Sequence, residues 1–147
     1  MFFEMDKSCF PIIKIKMNNS PITDIDFNVF LDAWRDLYNE KKEFTFIFDT
    51  HEIKNASLKY AIKMSSFIRE LRKNEIQYLQ KSIILINNKN IKWLLEFIFL
   101  IQPPVATVYI YNIENGIQDK IQEYIFNIMN HENTIKIEKG EPLLSIF

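Results

Sequence analysis

Four consecutive residues, Asp49, Thr50, His51 and Glu52, place two carboxylates, a hydroxyl and an imidazole in one short segment, and Ser57 follows close behind. A histidine oriented by a carboxylate is a common general base, and a neighbouring serine is the nucleophile that such a base activates. On that chemistry His51 takes the proton and Ser57 attacks. The same residue types also compose an ordinary polar turn at a strand end, because geometry rather than proximity defines a triad. Ser57 has a second chemistry open to it. With Asn55 as the N-cap of a helix that opens at Ala56, Ser57 falls at the second helical position. Free amides and the helix dipole would accommodate a phosphate there. A small polar first-turn residue is the plainer alternative.

Other chemistries lack their residues. The chain has two glycines, Gly116 and Gly140, so neither a P-loop nor a dinucleotide-binding glycine fingerprint can form. One cysteine and two histidines do not make a structural zinc site of the usual kind, and no Gly-x-Ser-x-Gly elbow occurs. No cofactor and no metal are expected. Cys9 stands alone, which leaves no internal disulfide and points to a reducing, cytoplasmic compartment. Glu4 and Asp6 interrupt the first residues, which do not read as a secretory signal. The apolar stretch 93–111 holds Glu96, Gln102 and the Pro103-Pro104 pair, which suit a helix, a turn and a strand better than a membrane span. Net charge is −1, and three arginines stand against fifteen lysines, so nucleic acid is not an expected partner.

Those candidate residues need elements to hold them. A chain of 147 residues, 48% hydrophobic and 25% charged, suits a single α/β domain, with residues 131–147 as a tail or short edge strand. Residues 10–17 alternate like a half-buried strand, and residues 1–5 can pair beside it. Thr23 caps a helix, with Asp26 three residues on, and Phe27, Phe30, Leu31, Trp34, Leu37 and Tyr38 form its buried stripe. Strands follow at 44–49, 82–86 and 105–111. Helices are read at 56–73, 91–101 and before residue 130; the last follows a turn at Gly116 and carries a stripe of Ile117, Ile121, Tyr124, Ile125 and Ile128. Alternating strands and helices imply crossovers and a central, mainly parallel sheet of four to five strands.

This order of elements resembles a STAS domain, the fold of bacterial anti-sigma-factor antagonists. Members carry a strand ending in Asp, then an Asp-Ser-Ser-Gly-like turn whose Ser is phosphorylated at the start of a long helix. Here FTFIFD and IKNASL line up with that pattern. Asn55 stands at the acid, Ala56 at the first Ser, Ser57 at the phosphorylatable position and Leu58 at the Gly. The similarity covers roughly residues 9–130 and extends to CRAL-TRIO lipid-transfer domains. It implies a non-catalytic regulatory module that binds another protein or a second copy of itself, with Ser57 a possible phosphorylation site. A lipid-binding domain with a cavity lined by the helix at 91–101 is the alternative, and a small hydrolase using His51 a further one.

The helix at 56–73 carries two apolar arcs. Leu58, Ala61, Ile62, Ser65 and Ile68 are read as the sheet-facing arc, and Tyr60, Met64, Phe67 and Leu71 as an outward stripe suited to a partner. With Thr50, His51, Asn55 and Ser57 the stripe makes up the expected partner surface. Charge is segregated too, with a net of −4 over residues 24–40 and +4 over residues 56–73. Pairing of the two helices as neighbours is the expectation, and a basic face for an acidic partner or lipid headgroups the alternative. The terminal Ser145-Ile146-Phe147 has the form of a carboxylate-recognition tail, or docks on its own domain.

Overall fold

Strand β2 (Ile12–Met17) alternates in space as its sequence does, with Ile13 and Ile15 fully buried and Lys14 and Lys16 on the opposite face. The computed structural model describes residues 1–55, 57–113 and 121–140. Strand β1 (Phe3–Asp6) pairs antiparallel with β2, setting Phe3 against Met17. Strands β3 (Phe44–Asp49), β4 (Leu79–Ile86) and β5 (Thr107–Asn112) run parallel to β2, each beside its predecessor. Strand β6 (Ile135–Ile137) closes the far edge antiparallel to β5.

The sheet is therefore six-stranded and mixed, which corrects the expected four or five mainly parallel strands. Chain length between strands explains the difference. Parallel pairing needs a crossover of about a dozen residues or more, and the five residues between β1 and β2 can only turn the chain back.

Helices α1 (Asp24–Asn39), α2 (Leu58–Arg72) and α3 (Lys89–Ile101) cover the face that carries Phe46 and Phe48. Helix α4 (Ile121–Met129) lies on the other face, where Ile125 and Ile128 meet Ile47, Ile83 and Leu85. Sequential parallel strands joined by crossovers of one hand must place their helices on one side, which is what α1 to α3 do. Gly116, Ile117 and the tail 141–147 lie outside the described residues.

All six residues of the expected α1 stripe are buried, and Thr23 Oγ1 accepts from the Asp26 amide at 3.1 Å. Trp34 stands edge-on to Phe46 at 4.7 Å and to Phe67 of α2 at 5.3 Å. Helix α1 ends on Lys41, whose φ of 55° is the left-handed conformation common just past a helix C-terminus. Helix α3 stops ahead of Pro103-Pro104, as proline requires.

Two readings of α2 are corrected. Its first residue is Leu58 and its N-cap is Ser57, whose φ of −108° and ψ of 115° are extended and exclude the second helical position. Asn55 is therefore not the cap. The two arcs are also not divided as expected, since Ala61, Ser65 and Ile68 of the first are buried but its Leu58 and Ile62 are not. Leu58 and Ile62 are about half exposed, at 49% and 51%, while Phe67 and Leu71 are at 3% and 2%. Helix α2 is wedged between α1 and α3, so its Phe67 side turns inward to Trp34 and its Ala61–Ile68 side packs on Ile98 of α3. Periodicity marks both arcs as apolar without saying which neighbour each will meet.

The charge segregation resolves as pairing between α1 and α2. Asp24 lies 3.0 Å from Lys59 and 3.2 Å from Lys63, and Arg35 grips Glu70 through two bonds of 2.8 and 3.0 Å. Lys59, followed by Tyr60 and Lys63, holds the Asp24 carboxyl down to about 2. At the other end of α2, Arg72 donates to Pro103 O at 2.6 Å. With its amide oxygen turned to the guanidinium, the fully buried Gln102 accepts from Arg72 Nε at 3.0 Å, which ties α2 to the end of α3.

Candidate functional site

The segment after β3 is fastened at several points. Thr50 turns inward, and its hydroxyl and amide both donate to Leu85 O, at 2.7 and 3.0 Å. Asn88 caps α3 by accepting from the Ile91 amide at 2.9 Å, and its Nδ2 donates to Ile53 O at 2.9 Å. Asn19 accepts from the Lys54 amide at 3.1 Å. Tyr60 donates from the start of α2 to Ile22 O at 3.1 Å and to Asp24 Oδ1 at 3.0 Å. Side-chain amides from two distant turns thus set the path of residues 50–57, because a chain without sheet or helix bonds must find other partners for its amides.

Beneath this segment lies a cavity of about 200 Å³ between α1, α2, α3 and the sheet. Thr50, Asn55, Ser57, Tyr60, Met64 and Leu71 all line it. These are six of the eight residues expected to form a partner surface, and they converge on an interior space instead. Helix α3 contributes Ile91, Leu94, Leu95, Ile98 and Phe99, so the expected lining by the helix at 91–101 is present. Asn55 is the exposed residue of the lining and marks where it meets solvent.

The walls are apolar, and no lining residue carries a charge. Among the polar side chains in the lining, one lies on α1 and one on β4. Trp34 lines the cavity at 5% exposure, and its indole N–H is buried with no hydrogen-bond partner among the described residues. Ser82 on β4 also lines it, at 4% exposure, and sits beside Phe46 across the β3–β4 pairing. Trp34 packs on that same Phe46, so both polar side chains flank one phenyl ring.

His51 is turned elsewhere. Asp49 points to the α4 face of the sheet, as its alternation with Phe48 requires, and is 4% exposed. Its Oδ1 lies 2.5 Å from His51 Nδ1 and accepts from the His51 amide at 3.1 Å. Glu52 stands 4.0 Å from His51 Nε2 and 3.2 Å from Lys16. Tyr124 of α4 is raised above the usual phenol value by burial, then by Tyr111 and Asp49 nearby. His51 is thus paired within its own turn, and Ser57 faces the cavity on the other side of the sheet. The base–nucleophile pair expected from sequence does not form, and among the described residues no cluster of acids, histidines and cysteine could hold a metal.

Sequence reading missed Trp34 and Ser82 as site residues. Trp34 was legible only as one member of the α1 core stripe, and Ser82 only as the start of a strand. The available signal was a hydroxyl in an otherwise apolar core strand, since a buried hydroxyl ordinarily has a partner. Against known proteins, no family model matches the chain, and no curated protein and no solved structure is significantly similar to it.

Proposed function

We propose that this protein is a non-catalytic binding domain whose ligand is a small apolar molecule held between α1, α2, α3 and the sheet. The observation that carries this is the 200 Å³ cavity with uncharged walls. Enclosed apolar volume costs a fold about 24 cal/mol per Å³, and since this space opens to solvent at Asn55, about 5 kcal/mol is its ceiling against a filled core. That is a large share of the roughly 5–15 kcal/mol by which domains are stable, and a ligand that fills the space recovers part of it. Such sites in α/β domains form at strand ends and between helices, where this one lies.

The volume also sets a limit on the ligand. A cavity near 150 Å³ takes a benzene ring, so about 200 Å³ takes a medium-sized molecule and not a two-chain phospholipid. This narrows the lipid-binding alternative to a small apolar ligand.

The test is ligand-induced stabilisation. Titration with indane should raise the melting temperature, and Ala106→Leu should abolish that rise. Ala106 lines the cavity at 4% exposure, so the larger side chain fills the space and should itself stabilise by about 1–2 kcal/mol. A melting temperature indifferent to ligand in the wild type, or an Ala106→Leu chain that loses stability, would sink the proposal.

A second reading, a STAS-like interaction module that meets another protein or its own copy, has one observation in its favour. Trp93, stacked on Phe97 at 5.5 Å, is 59% exposed and Leu100 is 66% exposed on α3, and Leu58 and Ile62 of α2 are half exposed. On this reading the partner meets those residues rather than the buried Phe67 and Leu71. Ser57, as N-cap, would still present a phosphate to the amides of the first turn of α2.

A further inference from the structure

We infer that the ligand is a neutral molecule of about eight to ten heavy atoms bearing one hydrogen-bond acceptor, which receives the Trp34 indole N–H; this rests on the binding reading above. Size comes from the cavity, since about 200 Å³ exceeds by a third a space known to hold six carbons. Neutrality comes from the walls. With no charged side chain in the lining, an ionised group inside would lose its hydration without a counter-ion, at a cost of pKa units or of binding.

The acceptor comes from Trp34. Among the described residues its N–H is the buried side-chain polar atom left without a partner, in a core where such groups are nearly always satisfied. The rings of Phe30, Phe46 and Phe67 stand edge-on around the indole at 6.0, 4.7 and 5.3 Å. The N–H is itself sealed from a water molecule, so a carbonyl oxygen entering from the cavity reaches it by displacing one of these rings, and because an aromatic face is only a weak acceptor it would replace a poor contact with a full one. Ser82, paired with Phe46 across β3 and β4, adds a hydroxyl to the lining. A ketone, an ester or a lactone on a compact hydrocarbon body has this chemistry. A free fatty acid does not, unless its carboxylate stays outside beside Asn55.

Indane and 1-indanone provide the matched pair, sharing one body and differing by a carbonyl. The full chain carrying Trp93→Phe leaves Trp34 as the lone indole, whose N–H proton is read by nuclear magnetic resonance. The expected result is a downfield shift of that proton with 1-indanone and none with indane, while both compounds bind. In addition, Trp34→Phe should weaken 1-indanone about fivefold to tenfold relative to indane, the ratio cancelling the shared change in volume. Binding of both compounds with an unmoved indole proton, or an unchanged ratio in Trp34→Phe, overturns the acceptor assignment and leaves the cavity reading standing. Tighter binding of indane-2-carboxylate than of 1-indanone overturns neutrality. Failure of both compounds to bind the wild type removes the cavity reading, and this inference with it.

Discussion

Tyr38 carries a hydroxyl into the core at the end of α1, where its ring meets Phe44 at 5.8 Å and its OH donates to Gln77 Oε1 at 2.7 Å. Burial pushes its pKa up to about 12, because the phenolate would lose its hydration. A group whose folded value is raised contributes stability below its unfolded value and loses it as pH climbs to the folded one. For Tyr38 that window runs from about 10, the free tyrosine value, to about 12. At pH 8 Tyr38→Phe should cost about 1 kcal/mol through the lost hydrogen bond. Urea unfolding should show the gap to wild type closing as pH passes through that window, and a constant gap would contradict the assignment. The residue scale also shows what one sequence can disclose. The six buried residues of α1 were legible because helical periodicity is local. The partnerless Trp34 N–H was not, because it depends on which rings from β3 and α2 close around it.

At the scale of elements, α2 is the informative case. Sequence located it to within two residues at its start and one at its end, yet turned Phe67 and Leu71 outward and Leu58 and Ile62 inward, the reverse of where they lie. Its neighbours decide orientation, and α3 takes the small Ala61 and Ser65 side while α1 takes the large Phe67 side. The consequence is measurable by thermal melts. Phe67→Glu would bury a carboxylate among aromatic rings and should cost more than about 4 kcal/mol, enough to unfold much of the population. Ile62→Glu, one arc away and 51% exposed, should stay within about 0.5 kcal/mol of wild type. Reversed results would restore the outward stripe. The strand β3 was legible to the residue because its aromatic and β-branched residues, closed by Asp49, stand between the charged run 40–43 and a polar turn. The mixed character of the sheet was harder to see, since β1 and β6 are short and pairing direction is set by connection length.

At the scale of the whole molecule, the apolar residues left on α3 frame the question of assembly. Trp93 and Leu100 are more exposed than a monomer usually leaves such side chains, and no described helix is long and apolar enough to cross a membrane. If the chain pairs with its own copy through this face, light scattering should give twice the monomer mass, and Trp93→Glu should return a folded monomer. A wild-type monomer across the concentration range would leave the interaction reading without its supporting observation. The cavity does not depend on that outcome, since Trp93 and Leu100 are not among its lining residues.

The spatial order of the strands is the order in which a ribosome would deliver them. No strand has to be inserted between two that are already paired, and each new one finds its neighbour at an open edge. Every parallel pairing closes a loop of about thirty residues, so each strand pairs with the one delivered just before it. The chain can therefore build from its first hairpin outward, and the cavity is closed over only when α3 and β5 arrive. A nascent chain would remain a partly roofed sheet until then, with α4 and β6 still to be added on the opposite face and the far edge.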